Sequence, residues 1–283
     1  MAGSPTARRR RLSIELKKLR EKSGSTCAQV GEALDWSGSK VNRMETGNGR
    51  VQPSDIDALC RFYDTSEELR DFLKSLARQA KTRGWWQTHG AGVPEWFNIY
   101  IGLEQEASSF RQYQCELIPG LMQTPAYASE LHTTGAYMAP VDIERAVRVR
   151  MERQTVMLSG EQAPDSWFIV NESALRNVIG DRAVMREQLE HVVESAQLPN
   201  VTLQVLHFDS GTYPATGSFT MLRFPDPEDP DIVYRDGITD AVYLEGDHHV
   251  REYTRAFDGL RAAALSPRRS TELIKSVLKE HAR

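Results

Sequence analysis

Apolar residues in the first eighty positions of the chain recur at helical spacing. Leu12, Leu16 and Leu19 are separated by four and then three residues, which places them on one face of a helix. The pattern then predicts a short second helix and a third helix that begins at Ser37, a residue type that caps helix N-termini. Two more amphipathic segments follow. We therefore predict an all-α bundle of five helices over residues 12–80.

The second and third predicted helices are joined by only three or four residues, which is helix-turn-helix geometry. In the third helix Val41 and Met44 share the inward face, so the outward face is polar. A helix with small or polar outward residues fits the major groove, which is ~12 Å wide, and matching donors and acceptors read base edges. The candidate base-reading residues are Ser39, Asn42 and Arg43. The candidate backbone contacts are Ser37, Lys40 and, beyond the following loop, Arg50.

The centre of this region reads Trp-Ser-Gly-Ser-Lys-Val-Asn-Arg-Met-Glu-Thr-Gly at positions 36–47. The stretch around it, residues 11–80, resembles the phage-repressor-like (xenobiotic-response-element) helix-turn-helix family. The resemblance implies a five-helix DNA-binding bundle with the base-facing and backbone-facing positions given above, and it implies that Glu45 supports the following loop. Members often carry Gln near the start of both motif helices, whereas this chain has Cys27 and Gly38 there. The operator therefore cannot be transferred from a relative.

Charge divides unequally along the chain. Residues 1–83 contain 17 Lys and Arg against 11 Asp and Glu, whereas the remaining 200 residues contain 18 against 28. A basic first third on an acidic body is typical of a nucleic-acid-binding head. Within it, residues 1–11 form a predicted basic N-terminal arm with four consecutive arginines from Arg8. This arm either follows the minor groove of DNA or is a disordered leader.

The pattern changes after residue 80. Large aromatic residues mix with glycines over 81–106, which we interpret as a connector that packs at a domain or subunit boundary. Short strand-like runs then follow a helical stretch, and a last helix begins at Ser266-Pro267. The predicted strands are 112–118, 166–170, 201–208, 219–224, 232–234 and 241–244. Residues 107–283 are therefore predicted to form an α+β domain with a largely antiparallel sheet and helices on one side, in a multi-domain chain.

Six segments of this second region, taken together, carry a further family resemblance. They are residues 103–107, 117–128, 150–154, 172–176, 185–189 and 199–205, and the second of them contains Pro-Gly-Leu-Met-Gln-Thr at 119–124. Together they resemble the C-terminal domain of WhiJ-type actinomycete regulators, which are described as antitoxin-like transcriptional regulators. The resemblance implies a repressor that is opposed by a small acidic protein encoded nearby.

A cluster of cations on one predicted helix is a candidate for binding that partner. It consists of Arg145, Arg148, Arg150 and Arg153. The alternative is that these are solvent-facing charges offset by neighbouring Glu residues.

The sequence offers little support for a catalytic site or a metal site. Ser37 and Lys40 match Ser-x-x-Lys, but the other elements of that catalytic site are missing. His248 and His249 form the densest metal-ligand cluster with Asp247, yet adjacent histidines on a strand point to opposite faces, so a surface loop is favoured. We therefore expect no catalytic residues, no metal, no cofactor and no enzyme activity.

These observations lead to one expected function with two alternatives. No apolar run approaches the ~18 residues that span a bilayer, the start of the chain lacks a secretory apolar segment, and three scattered cysteines suit a reducing cytoplasm. We expect a cytoplasmic, nucleoid-associated repressor that binds double-stranded DNA as a homodimer on a palindromic operator. Its C-terminal domain would mediate dimerisation and respond to a small protein. The alternatives are an antitoxin-like sequestering protein with DNA binding as autoregulation, and a repressor that senses a small molecule.

Overall fold

The chain divides into two compact units, residues 1–88 and 89–283. Within them, the computed structural model describes residues 5–80, 95–135, 139–214, 217–227, 229–238 and 240–281. In those ranges, no helix has both the length and the apolar character needed to cross a bilayer.

The described part of the first unit is a bundle of five helices, as predicted. They are α1 (Pro5–Lys22), α2 (Cys27–Ala33), α3 (Gly38–Glu45), α4 (Pro53–Phe62) and α5 (Glu67–Gln79). The core contains Leu12 and Leu16 from α1, and it also takes Val41 from α3, Ile56 from α4 and Leu73 from α5. Helical spacing of apolar residues therefore builds this unit.

Helix α1 begins earlier than the apolar pattern predicted. Residues 5–11 form its first two turns, so the prediction of a separate basic arm is wrong for these residues, and residues 1–4 lie outside the described part of the chain. Proline suits the first helical position because its missing N–H has no helical partner there, and Pro5 occupies it here. Arginine is a good helix former, so the arginine run extends the helix without apolar residues to mark it.

The second unit alternates helices and strands. Its helices are α6 (Glu95–Glu104), α7 (Pro125–Gly135), α8 (Pro140–Ser159), α9 (Glu172–Arg176), α10 (Arg182–Ser195), α11 (Asp247–Ala263) and α12 (Pro267–His281). Its strands are β1 (Ser109–Gln114), β2 (Asp165–Asn171), β3 (Val201–Leu206), β4 (Phe219–Arg223), β5 (Ile232–Asp236) and β6 (Ala241–Leu244). The second half of the predicted connector is therefore helix α6, whose Tyr100 and Leu103 join the main core of this unit, and the first half, 81–94, is not described.

The six strands form one mixed sheet in the order β3-β2-β1-β4-β5-β6. Strands β1, β2 and β3 pair in parallel, and the other three pairings are antiparallel. Parallel neighbours need a long crossover connection, and the helices between β1 and β2 and between β2 and β3 supply it. The α+β class is confirmed, and the antiparallel pairings outnumber the parallel ones by only one.

Helices cover both faces of the sheet, so the prediction of helices on one side is wrong. One face carries Phe110 and Phe168 against α10 and α12, and the other carries Tyr113 and Ile169 against Phe257 of α11. Side chains of successive strand residues point to opposite faces, and the strands are apolar on both. This explains why the strand runs lack the alternation of a sheet with one solvated face.

Candidate nucleic-acid interface

A tight turn joins α2 to α3. The Trp36 amide donates to the Gly31 carbonyl at 2.7 Å, and Asp35 adopts a left-handed backbone with φ of 57°. A Cβ atom on Gly31 would lie 2.8 Å from both the Gly38 nitrogen and the Trp36 carbonyl oxygen. Only glycine fits at position 31, because the backbones of α2 and the turn approach so closely there. The turn therefore fixes the crossing of the two helices.

Helix α3 presents one apolar and one polar face. Val41 and Met44 are buried at 1% and 2% exposure, whereas Ser39, Asn42 and Arg43 are exposed. Ser37 caps the helix, as predicted, by accepting a hydrogen bond from the Lys40 amide at 3.2 Å. The three predicted base-reading residues therefore share the outward side of one anchored helix.

Lys40 is held within the protein. Its Nζ lies 2.7 Å from Oδ1 of Asp55 on α4 and 3.6 Å from the centre of the Trp36 ring. The other carboxylate oxygen of Asp55 accepts the Gln52 amide at 2.8 Å. The predicted phosphate contact of Lys40 therefore competes with an internal ion pair and a cation–π contact, since one amine serves all three.

Glu45, at the end of α3, pairs with α1. The Arg20 Nε atom donates to both Glu45 oxygens at 2.8 and 2.9 Å, and Nη2 donates at 2.8 Å. Arg20 also donates to the Ser25 carbonyl at 3.1 Å. The hydrogen bonds to Glu45 raise the pKa of Arg20, against the opposing effect of burial. Glu45 thus joins α3 to α1 directly, and the prediction that it supports the following loop missed this partner because Arg20 is 25 residues away.

A cationic groove lies where α3 ends. It has a volume of about 390 Å³ and is lined by Lys40, Arg43, Met44, Asn48, Gly49 and Arg50. Gly49 packs on α3, since its amide donates to the Arg43 carbonyl at 2.8 Å and a Cβ there would lie 3.1 Å from Arg43. Arg50, a predicted phosphate contact, is exposed beside it. Asn48 is a groove residue that no sequence pattern marks, because it stands in a Gly-Asn-Gly segment typical of any turn.

The four predicted partner-binding arginines of α8 do not form one surface. Arg145 pairs with Asp142 at 3.2 Å and Arg148 lies 3.9 Å from Glu144, both within the helix. Arg153 points inward and binds both oxygens of Glu104 at 2.8 Å. Residues five positions apart on a helix point to different sides of it. Arg145 and Arg148 therefore lie on a different side of α8 from Arg150 and Arg153.

Arg150 and Arg153 occupy the interior side of α8. Burial opposes the charge on Arg153, but the adjacent Glu104 carboxylate outweighs it and raises the pKa of the guanidinium. Arg150 donates to the amide oxygen of Gln123, and burial together with the charge of Arg153 lowers its pKa to about 10. Both arginines therefore contact groups inside the domain and do not form a cationic surface.

The Pro-Gly-Leu-Met-Gln-Thr segment at 119–124 is a largely buried loop with one turn of 3-10 helix at Gly120–Met122, and glutamines satisfy its main chain. Gln188 of α10 donates to the Met122 carbonyl at 2.6 Å and accepts the Thr124 amide at 2.8 Å. Gln154 of α8 donates to the carbonyl of Gly120 at 3.0 Å and to that of Gln123 at 2.7 Å. Buried backbone groups need such partners, so this motif is a structural junction between α8 and α10.

Asp247, His248 and His249 form the first turn of α11, so the predicted surface loop is wrong. Among the described residues, no three His, Cys, Asp or Glu side chains are grouped so that they could hold a metal ion.

Comparisons with known families agree with this division of the chain. Residues 11–73 match the model of a helix-turn-helix domain, and residues 97–276 match the model of a domain of unknown function, DUF5753. Searches of curated proteins and of solved structures returned no match. The first match identifies the module of a DNA-binding regulator and coincides with the bundle that carries α3. The second covers more than half of the chain, and the chain therefore belongs to the DUF5753 family, here with an N-terminal helix-turn-helix domain.

Proposed function

We propose that this protein is a sequence-specific DNA-binding repressor in which α3 is the recognition helix. The observation that carries the proposal is the outward face of α3, where Ser39, Asn42 and Arg43 are exposed opposite the buried Val41 and Met44. Arginine can bind guanine through two hydrogen bonds, and asparagine can bind adenine in the same way. The cap, the turn and the Glu45 pair hold this helix in one orientation, which positions its side chains before DNA arrives.

We propose that the protein acts as a homodimer on a palindromic operator. Helix-turn-helix dimers place two recognition helices about one turn of DNA apart, ~34 Å. A dimer with two-fold symmetry therefore binds two inverted half-sites at that spacing. A single eight-residue helix reads few base pairs, so a second copy is needed to give a repressor its selectivity. Such a protein would act in the cytoplasm, on the nucleoid.

We propose that the DUF5753 domain mediates dimerisation and binds a small protein partner that relieves repression. Support comes from three apolar side chains that stand exposed on the loops after β1, α9 and β3, namely Leu117, Val178 and Phe208. The first two loops are joined by a hydrogen bond from the Asn177 side chain to the Glu116 carbonyl at 3.2 Å. Exposed apolar groups on neighbouring loops favour contact with another protein.

Selection of binding sites from a random duplex library by the full-length protein tests the proposal. The expected product is a sequence motif with two inverted half-sites whose centres are ~10 base pairs apart, bound by two protein chains per duplex. The stoichiometry is measured by analytical ultracentrifugation on the selected duplex. Recovery of no motif, with equal binding to all duplexes, would contradict sequence-specific recognition. A motif without symmetry, bound by one chain, would contradict the homodimer alone.

A further inference from the structure

The first two turns of α1 precede Leu12, its first core residue, and the helix contacts the loop that follows α3 at the next turn. Ser13 marks the point of contact, because a Cβ on Gly47 would lie 3.5 Å from its hydroxyl oxygen, and Ser13 is buried at 5% exposure. The Ser13 hydroxyl donates to the Arg9 carbonyl at 3.0 Å, so the helix is intact on the N-terminal side of this contact. Leu12, beside it, is the first α1 residue in the core.

Helix geometry decides which arginines face this loop. Residues three and four positions apart lie on the same side of a helix, one turn or ~5.4 Å along its axis. The residues three and four positions before Ser13 are Arg10 and Arg9. Arg9 is exposed and Arg10 is half-buried, so both extend the face that Ser13 directs toward the loop of Gly47. Arg11 faces elsewhere and lies 3.3 Å from Glu15.

The charge of this segment is unfavourable for the helix itself. Cations near a helix N-terminus oppose the helix dipole, and the first turn of α1 carries no acidic residue. Adjacent arginines also repel each other. A helix start whose charges oppose the helix dipole is typical of a functional surface.

The cationic groove at the end of α3 provides the other half of this surface. The loop that Ser13 contacts continues into Asn48 and Arg50, which line the groove with Arg43. We propose that Arg9 and Arg10 bind DNA backbone phosphates beside the DNA major groove that α3 enters. With Arg50 they would form one cationic surface. This inference rests on the proposed function, since it requires α3 to bind DNA. Arg9 and Arg10 would make these phosphate contacts from a helix, and phosphate contacts carry no sequence information.

Salt dependence of binding to a random-sequence 24-base-pair duplex tests the inference without an operator. Fluorescence anisotropy at 50 to 200 mM NaCl gives the slope of log K against log salt concentration, and each neutralised phosphate contributes ~0.9 to its magnitude. The variant Arg9→Gln/Arg10→Gln should lower that magnitude by about 1.8 in the full-length protein. The variant Arg9→Lys/Arg10→Lys should retain the wild-type slope, because it keeps both charges.

A matched control removes two exposed cations elsewhere in the bundle. Lys22→Gln/Arg61→Gln changes the net charge equally, and it should alter the slope by less than ~0.4. Equal slopes for the wild type and Arg9→Gln/Arg10→Gln would overturn the inference, as would equal losses in the two glutamine variants. If the wild type binds no duplex at low salt, the proposed function itself fails. Helix content by circular dichroism confirms that each variant is folded.

Discussion

Lys40 of α3 and Asp55 of α4 form an ion pair with 2.7 Å between Nζ and Oδ1. A lysine on a recognition helix can either neutralise a DNA phosphate or pair with a carboxylate of the protein, and Lys40 does the second. An amine held by a carboxylate and by the Trp36 ring is not free to neutralise a phosphate, whereas Arg50 beyond the loop is exposed. Lys40 and Arg50, which line the same groove, should therefore differ in their contribution to DNA binding.

Substitution of each cation by glutamine measures this difference. We expect Arg50→Gln to lower the magnitude of the salt slope for duplex binding by about 1, and Lys40→Gln to lower it by less than ~0.4. The measurement is fluorescence anisotropy at several salt concentrations. If both substitutions lower the slope equally, Lys40 leaves Asp55 in the complex and the ion pair describes only the free protein.

Gly31 should tolerate no side chain. In Gly31→Ala the new methyl group would lie 2.8 Å from backbone atoms of the turn, so α2 and α3 must separate. We expect a loss of roughly 1–3 kcal/mol in the free energy of unfolding of the first unit, and weaker DNA binding. Hydrogen exchange of the α3 amides measures the stability. Gly120→Ala is the matched control, because nothing lies within 4 Å of that Cβ position. Equal protection of α3 in Gly31→Ala and in the wild type would show that the close approach is not needed.

Gln188 should be essential to the second unit. Gln188→Met keeps the volume of the side chain but removes both hydrogen bonds to the loop, leaving the Met122 carbonyl and the Thr124 amide buried without partners. The expected cost is about 2–4 kcal/mol, from the desolvation penalty of two buried polar groups. Urea unfolding of the second unit, followed by hydrogen exchange of α10, measures it. Glu187→Met, an exposed neighbour on the same helix, should cost less than ~0.5 kcal/mol. A similar cost for both variants would show that the glutamine hydrogen bonds do not hold the loop.

The second unit should also lose stability in mild acid through His132. Burial, together with the charge of Arg150, lowers the pKa of this imidazole to about 4, well below its ordinary value of 6.5. The unfolded chain therefore binds a proton first, so this contribution to stability is complete above pH 6.5 and is lost as the pH falls toward 4. The slope of Tm against pH in that window should be smaller in His132→Gln than in the wild type. Parallel curves for the two proteins would exclude His132 as the source of the pH dependence.

The sequence predicted what depends on local pattern. The five helices of the first unit, the Ser37 cap and the outward side of α3 follow from helical spacing and capping chemistry, which act within a few residues. The pairs Arg20–Glu45 and Lys40–Asp55 join residues 25 and 15 positions apart, and no periodicity marks them.

The second unit shows the same limit more strongly. Its strand segments were identified approximately, but their pairing depends on crossovers that bring distant segments side by side. The helical pattern placed Arg145 and Arg153 together, and only the fold shows that Glu104 draws Arg153 into the interior. The sequence favours a surface loop at residues 247–249 because adjacent histidines on a strand seldom share one metal, yet these residues begin α11.

The affinity of Arg43→Ala for the selected operator tests whether α3 is the recognition helix. We expect this substitution to weaken specific binding by about 1–3 kcal/mol, or roughly 5- to 150-fold, and to relax selectivity at one base pair in each half-site. Arg61→Ala, which removes an exposed arginine on α4, should bind as the wild type does. An Arg43→Ala protein that keeps its helix content and still binds the operator with wild-type affinity and selectivity would contradict the assignment of α3 as the recognition helix.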